Sequence, residues 1–274
     1  MKMKIILISS IFAIIILGLL AGKIYMSRQF HQEVAILFKG SKPVSSRPFS
    51  YGQLADLPEP VRRYFKLVLK DGQPYISCAR IRHNGQFKSG PAKGWVNIKG
   101  EQYATTGQPG FIWKGTTNLF TARDMYINNK GRLVVSLFGI VKVVDGQGKS
   151  FDQGELLRWL GESVLYPTNL LPGPDRQWSA IDARHAKFTF NYNGLALFYT
   201  VTFNEAGEIT ELVTKRYMDE KHLETWLIKV GSYRNLNDVK VPTVFEVVWK
   251  LKKGDLSYAR FNITTIEYGQ AERF

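Results

Sequence analysis

Between residues 74 and 268 the chain repeats one pattern, in which short stretches rich in Val, Ile, Thr, Tyr, Phe and Trp end at Gly, Asn or Asp. Few folds accept this. β-Branched and aromatic side chains fit a pleated surface, and the punctuating residues supply turns. The spacing predicts strands over 75–88, 94–105, 111–118, 119–127 and 132–138. It predicts six more over 186–192, 196–204, 209–217, 225–234, 243–252 and 256–268. Within them the apolar residues alternate. Thr243, Phe245, Val247, Trp249 and Leu251 share one face, and Glu246 and Lys250 share the other. Phe188, Phe190 and Tyr192 alternate with Thr189 and Asn191 in the same way. A period of two with one polar face marks antiparallel sheet.

Two amphipathic helices accompany these strands. Asp56 and Glu59 form a capping-box pair with Pro58 and Pro60 in the first turn. Val61, Tyr64, Phe65, Val68 and Leu69 then recur at helical spacing. In the second helix Asp152 and Glu155 repeat the capping pair. Leu156, Leu157, Trp159, Leu160, Val164 and Leu165 make a broad apolar face that ends near Tyr166-Pro167. A twisted sheet of about eleven strands tends to curl, and two helices cannot cover both of its faces. The expected fold is therefore mainly β (α+β): a curved antiparallel sheet of about eleven strands forming a half-open barrel, with the helices in or across its mouth.

Ahead of this domain lies an apolar run, Ile5 to Gly22, broken only by Ser9, Ser10 and glycines. As a helix it rises about 27 Å, close to the hydrocarbon thickness of a bilayer. Its Ile, Leu and Phe residues contribute about −4 to −7 kcal/mol to insertion. A cleaved signal peptide fits less well, because the run exceeds a usual h-region and no small-x-small site follows. Lys23 also stands where a lipidated cysteine would have to be. The expectation is an uncleaved transmembrane anchor over 1–23, a juxtamembrane helix and linker over 24–54, and one β-rich domain over 55–274. Ile24, Phe30, Val34, Leu37 and Phe38 line one side of the juxtamembrane helix. Lys2 and Lys4 before the run nearly balance Lys23 and Arg28 after it. The ordinary product of such a signal anchor is a single-pass protein with its C-terminal domain outside the cytoplasm.

The net charge is +14, about +10 of it beyond residue 30. Near a bilayer, that charge attracts anionic lipid headgroups. Lys and Arg are scattered, with no Arg-rich stripe or recognition-helix pattern, so no nucleic-acid partner is expected. The single cysteine, Cys78, excludes an intrachain disulfide and reads as a small apolar strand residue.

No motif names a reaction. Gly146-Gln-Gly-Lys149-Ser150 has Val143 where a phosphate loop needs its first glycine, so a turn before a helix is the better reading. Gly161-Glu-Ser163 lacks the second glycine of a nucleophile elbow and lies in a predicted helix. His31, His83, His185 and His222 lack metal-ligand spacing, although strands could bring His83 and His185 together. No metal, cofactor or catalytic residue is expected on these grounds. Arg158 and Glu162, at i and i+4, are either a solvated pair or a buried one that orients a headgroup. The tryptophans are core residues or cavity lining, and spacing does not separate the two.

Three segments carry a family resemblance: Leu57-Pro-Glu-Pro-Val-Arg-Arg-Tyr-Phe65, Gly110-Phe-Ile-Trp113, and Gly154-Glu-Leu-Leu-Arg158 through Glu162 to Tyr166-Pro-Thr-Asn-Leu170. Trp178 and Val241-Pro242 leading to Trp249 continue it. Together they resemble a bacterial family known only as a domain of unknown function, over about residues 55–270, with Tyr166 where that family often has Trp. The strand-and-helix order is similar to the half-barrel of LolA/LolB lipoprotein carriers. The resemblance implies a concave apolar sheet that holds acyl chains, and carries no activity.

The reading that follows is a membrane-tethered binding module for a lipid or other hydrophobic ligand, with Trp113, Arg158, Trp159, Glu162 and Trp249 as candidate ligand-binding residues. Two alternatives stand beside it. One is an enzyme of unrecognised type acting on an envelope substrate through Arg158, Glu162, Asp124 or Asp182. The other is a scaffold that docks protein partners.

Overall fold

The computed structural model describes residues 2–138 and 141–274 of the chain. One antiparallel sheet contains thirteen strands. The first six are β1 (Cys78–Phe87), β2 (Val96–Thr105), β3 (Gly110–Thr116), β4 (Phe120–Ile127), β5 (Lys130–Leu137) and β6 (Val141–Gln147). The remaining seven are β7 (Arg176–Ala180), β8 (His185–Tyr192), β9 (Leu195–Phe203), β10 (Ile209–Tyr217), β11 (Leu223–Leu236), β12 (Val239–Leu251) and β13 (Gly254–Tyr268). Their spatial order is β6-β5-β4-β3-β2-β1-β13-β12-β11-β10-β9-β8-β7. The first and second halves of the chain each form a meander, joined where β1 meets β13 with Ala79 opposite Tyr268 and Phe87 opposite Ala259. β6 and β7 are the two free edges, so the barrel is open.

All eleven expected strands are present. The two additional ones are the edges, and each is short and largely solvent-exposed. With no buried face to select for alternation, β6 reads Val-Lys-Val-Val-Asp-Gly-Gln and escapes a period-two search.

The chain passes from one edge to the other through α3 (Lys149–Gly161) and two short helical turns over Glu162–Leu165 and Pro167–Leu170. α3 touches β3, β4, β5 and β6 on one side and β9 and β10 on the other. In a flat sheet β5 and β10 would stand about 38 Å apart at about 4.8 Å per strand. A helix is only about 10–12 Å across, so the sheet must wrap around α3.

The crossing segment is held by aromatic polar tips that reach its backbone carbonyls. Trp178 Nε1 donates to Leu170 O (2.8 Å), Tyr199 Oη to Leu157 O (2.8 Å) and Tyr268 Oη to Leu165 O (2.7 Å). α2 (Glu59–Val68) packs its buried Val61, Tyr64, Phe65 and Val68 over the same end, against β8 and β12. This end of the barrel is solid protein.

Both helices start differently from the capping-box expectation. Pro58, in extended conformation, is the N-cap of α2, and its carbonyl accepts from Arg62 N (2.9 Å). Asp56 makes no cap. α3 starts at Lys149 after Gly148, whose φ of +108° glycine alone adopts freely. Asp152 instead accepts from Gly131 N (2.8 Å) and pins the helix to β5. The anticipated turn at Gly146–Ser150 is the end of β6 and the start of α3.

The N-terminal run and the juxtamembrane segment form one helix, α1 (Lys2–Lys39). It has the length and apolar composition of a membrane-crossing helix, a property that signal sequences share. Its last turns dock on the convex side of the sheet. Phe30, Val34 and Leu37 bury against Tyr103, Ile112 and Met125, which are aligned cross-strand neighbours on β2, β3 and β4. Ile24, expected on the same face, is exposed. Arg123 is 2 % exposed in this interface and pairs with Glu33 at 2.5 Å.

Candidate functional site

The concave face is filled at one end and hollow at the other. The hollow is a cavity of about 440 Å³ between α3 and the strands. Its walls are Ile98, Trp113, Ala122, Leu133 and Val135 from the first meander. Trp226, Ile228, Phe245, Val247, Trp249, Ala259 and Phe261 come from the second. Strand alternation places these side chains inside, and the wall is mostly carbon. The lining continues to Phe87, Ser89, Phe120, Leu137 and Met218. These sit where β1, β3–β4, β5 and β10 reach the turns at one end of the barrel. The lining residues Met218 and Asp219 there are solvent-exposed, which makes that end the mouth.

One wall is polar. The ladder Gln102–Trp113–Asp124 crosses β2, β3 and β4 on the concave face and meets α3. Arg158 Nη1 pairs with Asp124 Oδ2, and Arg158 Nε donates to Glu162 Oε1 at 2.9 Å. Gln102 Nε2 donates to Glu162 Oε2 at 2.8 Å. The Arg158 guanidinium also lies 4.8 Å from the Trp113 ring centre and 5.1 Å from that of Phe111. Opposite, Arg216 of β10 donates to Gly154 O (2.9 Å) and to Glu155 Oε1 (3.1 Å), with its guanidinium 4.5 Å over Trp226.

Three carboxyls therefore meet two guanidiniums in a buried wall. Burial raises the pKa of Asp124 and of Glu155, and their mutual repulsion raises Glu155 further. Asp124 Oδ1 and Glu155 Oε2 are buried without a hydrogen-bond partner. A single proton on one of these two carboxyls would balance three carboxyls against two guanidiniums, the cheapest state in a low-dielectric wall.

His83 completes the lining from behind. Trp113 Nε1 donates to His83 Nε2 at 2.8 Å, and burial pushes the imidazole pKa down to about 4, so the ring is neutral. A Cβ at Gly100 would overlap the His83 ring, and one at Gly115 would overlap the Trp113 indole. The two glycines let this pair lie flat on the sheet.

Of the five candidate residues, Trp113, Arg158, Glu162 and Trp249 line the cavity. Trp159 does not. It projects into the solid end, fully buried, where its Nε1 donates to Thr105 O at 2.9 Å and its ring meets Phe190 at 5.7 Å. Asp124 joins the site, whereas Asp182 is half-exposed in the β7–β8 turn, paired with His185. His83 and His185 stay apart, and no metal-binding cluster occurs among the described residues. Ser163 is buried and donates to Trp159 O at 3.1 Å.

Sequence reasoning missed Glu155, Arg216 and Gln102. Arg216 has the phase of the buried Leu212 and Thr214 on β10, a signal that alternation carries. Gln102 gave none, because Tyr103 beside it is also buried, under α1.

The sequence pattern of a family of unknown function, DUF6544, matches residues 47–261. The chain belongs to that family. The DUF6544 region takes in α2, α3 and every cavity-lining residue, and leaves out α1 and the chain's last residues. Among solved structures, the chain is similar to a LolA superfamily protein from Nitrosomonas europaea at 8 % identity. The alignment spans 77 % of this chain and 92 % of that one, with a TM-score of 0.43. It is also similar to a DUF1329 family protein from Desulfovibrio piger at 10 % identity, over 71 % and 86 % of the two chains, with a TM-score of 0.37. No curated protein matches the chain.

Proposed function

We propose that this DUF6544 protein is a membrane-tethered module that binds a lipid or another apolar molecule in the cell envelope. The observation that carries the reading is the 440 Å³ cavity itself. A sheet whose concave side were packed throughout would leave no room for a guest. This volume falls within the range of about 300–1,000 Å³ typical of small-molecule sites, and such sites combine apolar walls with a few placed polar groups.

The charge balance of the wall narrows the guest. Arg158 and Arg216 are already engaged by carboxyls, so the site favours a ligand with a neutral, hydrogen-bonding polar end over a bare anion. Attraction of anionic headgroups falls to the basic exterior, and α1 supplies the tether.

A solvatochromic fatty-acid probe titrated into the detergent-solubilised full chain tests this. Ala122 is a small cavity-lining residue. Ala122→Phe should weaken probe binding about tenfold or more, a loss of about 1.4 kcal/mol, with no loss of melting temperature. In a filled core, added carbons cost about 1–3 kcal/mol of stability, so destabilisation with unchanged binding would count against the cavity.

The convergence of Asp124, Glu155 and Glu162 on one wall supports a second reading, an enzyme in which a protonated carboxyl acts as general acid. Incubation with labelled envelope lipid and glycan extracts discriminates the two. Products lost in Glu155→Gln would favour the enzyme, and intact bound ligand favours the carrier.

A further inference from the structure

We propose that the mouth of the barrel rests on the same bilayer that α1 enters, so that an apolar guest passes between membrane and cavity without crossing water. This rests on the tether reading above and adds a direction to it.

The direction follows from how α1 docks. Near its C-terminal end Leu37 lies against Gly110, at the start of β3. Seven residues earlier, the Phe30 ring lies 4.0 Å from Lys114 Nζ, further along β3. Between them Glu33 pairs with Arg123, which is opposite Lys114 in the β3–β4 register. Read toward its N-terminus, α1 therefore runs along β3 toward Thr116 and the turn before Phe120. The helix rises about 10 Å from Leu37 to Phe30 at 1.5 Å per residue. β3 advances about 13 Å from Gly110 to Lys114 at about 3.3 Å per residue. The two advances are similar, so α1 runs broadly along β3. Another seven residues, about 10 Å, bring the helix to Lys23. Two more strand residues, about 7 Å, bring β3 to its end at Thr116, and the turn to Phe120 lies just beyond. The last charged residue before the apolar run consequently stands level with the rim.

The rim at this end carries the cavity mouth. It is also where exposed apolar side chains gather. Leu119 is 58 % exposed, Val141 57 %, Phe138 55 % and Leu223 46 %, and all four lie in or beside its turns. Lys93, Lys252 and Lys253 are exposed on turns at the same end and suit anionic headgroups. The opposite end holds the β11–β12 turn at Asn237–Asp238 and the β9–β10 turn at Glu205–Ala206, both polar, beside α2.

The test places single labels on the full chain reconstituted in vesicles of neutral and anionic phospholipid containing brominated acyl chains. With Cys78→Ser as background, an environment-sensitive fluorophore is attached at Leu17→Cys, Leu119→Cys, Leu223→Cys or Glu205→Cys. Strong quenching at position 17 establishes the tether. Quenching at 119 and 223 several-fold above that at 205 is the expected result. Quenching at 17 but not at 119 and 223 would overturn the orientation and leave the tether standing. No quenching at 17 would overturn the tether, and this proposal with it.

Discussion

Glu155 carries the most informative chemistry in the cavity wall. Burial and the neighbouring Asp124 raise its pKa above the usual carboxylate range. A carboxyl raised on folding contributes its stability fully below its unfolded pKa and loses it as pH rises through the folded value. Each unit of that shift is worth about 1.4 kcal/mol, or about 3–5 °C of melting temperature in a domain of this size. Glu155→Gln keeps an oxygen for Arg216 and removes the ionisation. The melting-temperature advantage of the variant over the parent should therefore grow by several degrees between about pH 5 and pH 8. Melting curves across that range check it, and a constant difference would mean that Glu155 stays ionised. The sequence made part of this site legible. Arg158 and Glu162 stood out by helical spacing and form the expected pair. Glu155 reads in the sequence as a capping residue, because composition alone does not show where a helix begins. Trp159 and Trp113 are both buried aromatics, and only the direction of each side chain separates core from cavity.

At the scale of elements, α1 is joined to the sheet by an apolar interface that encloses one buried ion pair, Arg123 with Glu33. Arg123 has no exit to solvent, and its Nε already lacks a partner. Removing Glu33 leaves a buried charge unopposed, which costs about 3–5 kcal/mol. Glu33→Ala should therefore undock the helix end, seen as faster hydrogen exchange across residues 27–39 with the strands far from it unchanged. The double variant Glu33→Leu with Arg123→Met should restore protection, since well-packed apolar side chains replace such pairs at little cost. Exchange unaltered by Glu33→Ala would show that the apolar contacts suffice. This interface also explains where sequence patterning weakened. On β2, β3 and β4 the outer residues Tyr103, Ile112 and Met125 are buried by α1, so both faces of those strands are apolar at this point. The one-sided pattern that revealed the inner strands fails both there and at the exposed edges β6 and β7.

The whole molecule is a curved sheet divided by its own crossover. α3 and the segment to Leu171 turn one end of the barrel into core and leave the other end hollow. Curvature followed from strand number and helix count. The division did not, because it depends on how deep α3 sits, and the glycines at Gly131 and Gly146, which make room for Phe151 at its start, fix that depth. The central claim is that the hollow end holds a guest. Native mass spectrometry of the full chain, released from detergent micelles, tests it most directly. The parent protein should carry adducts of lipid mass that Ala122→Phe largely loses. A parent that flies at its bare mass, even after incubation with envelope lipid extract, would contradict the account.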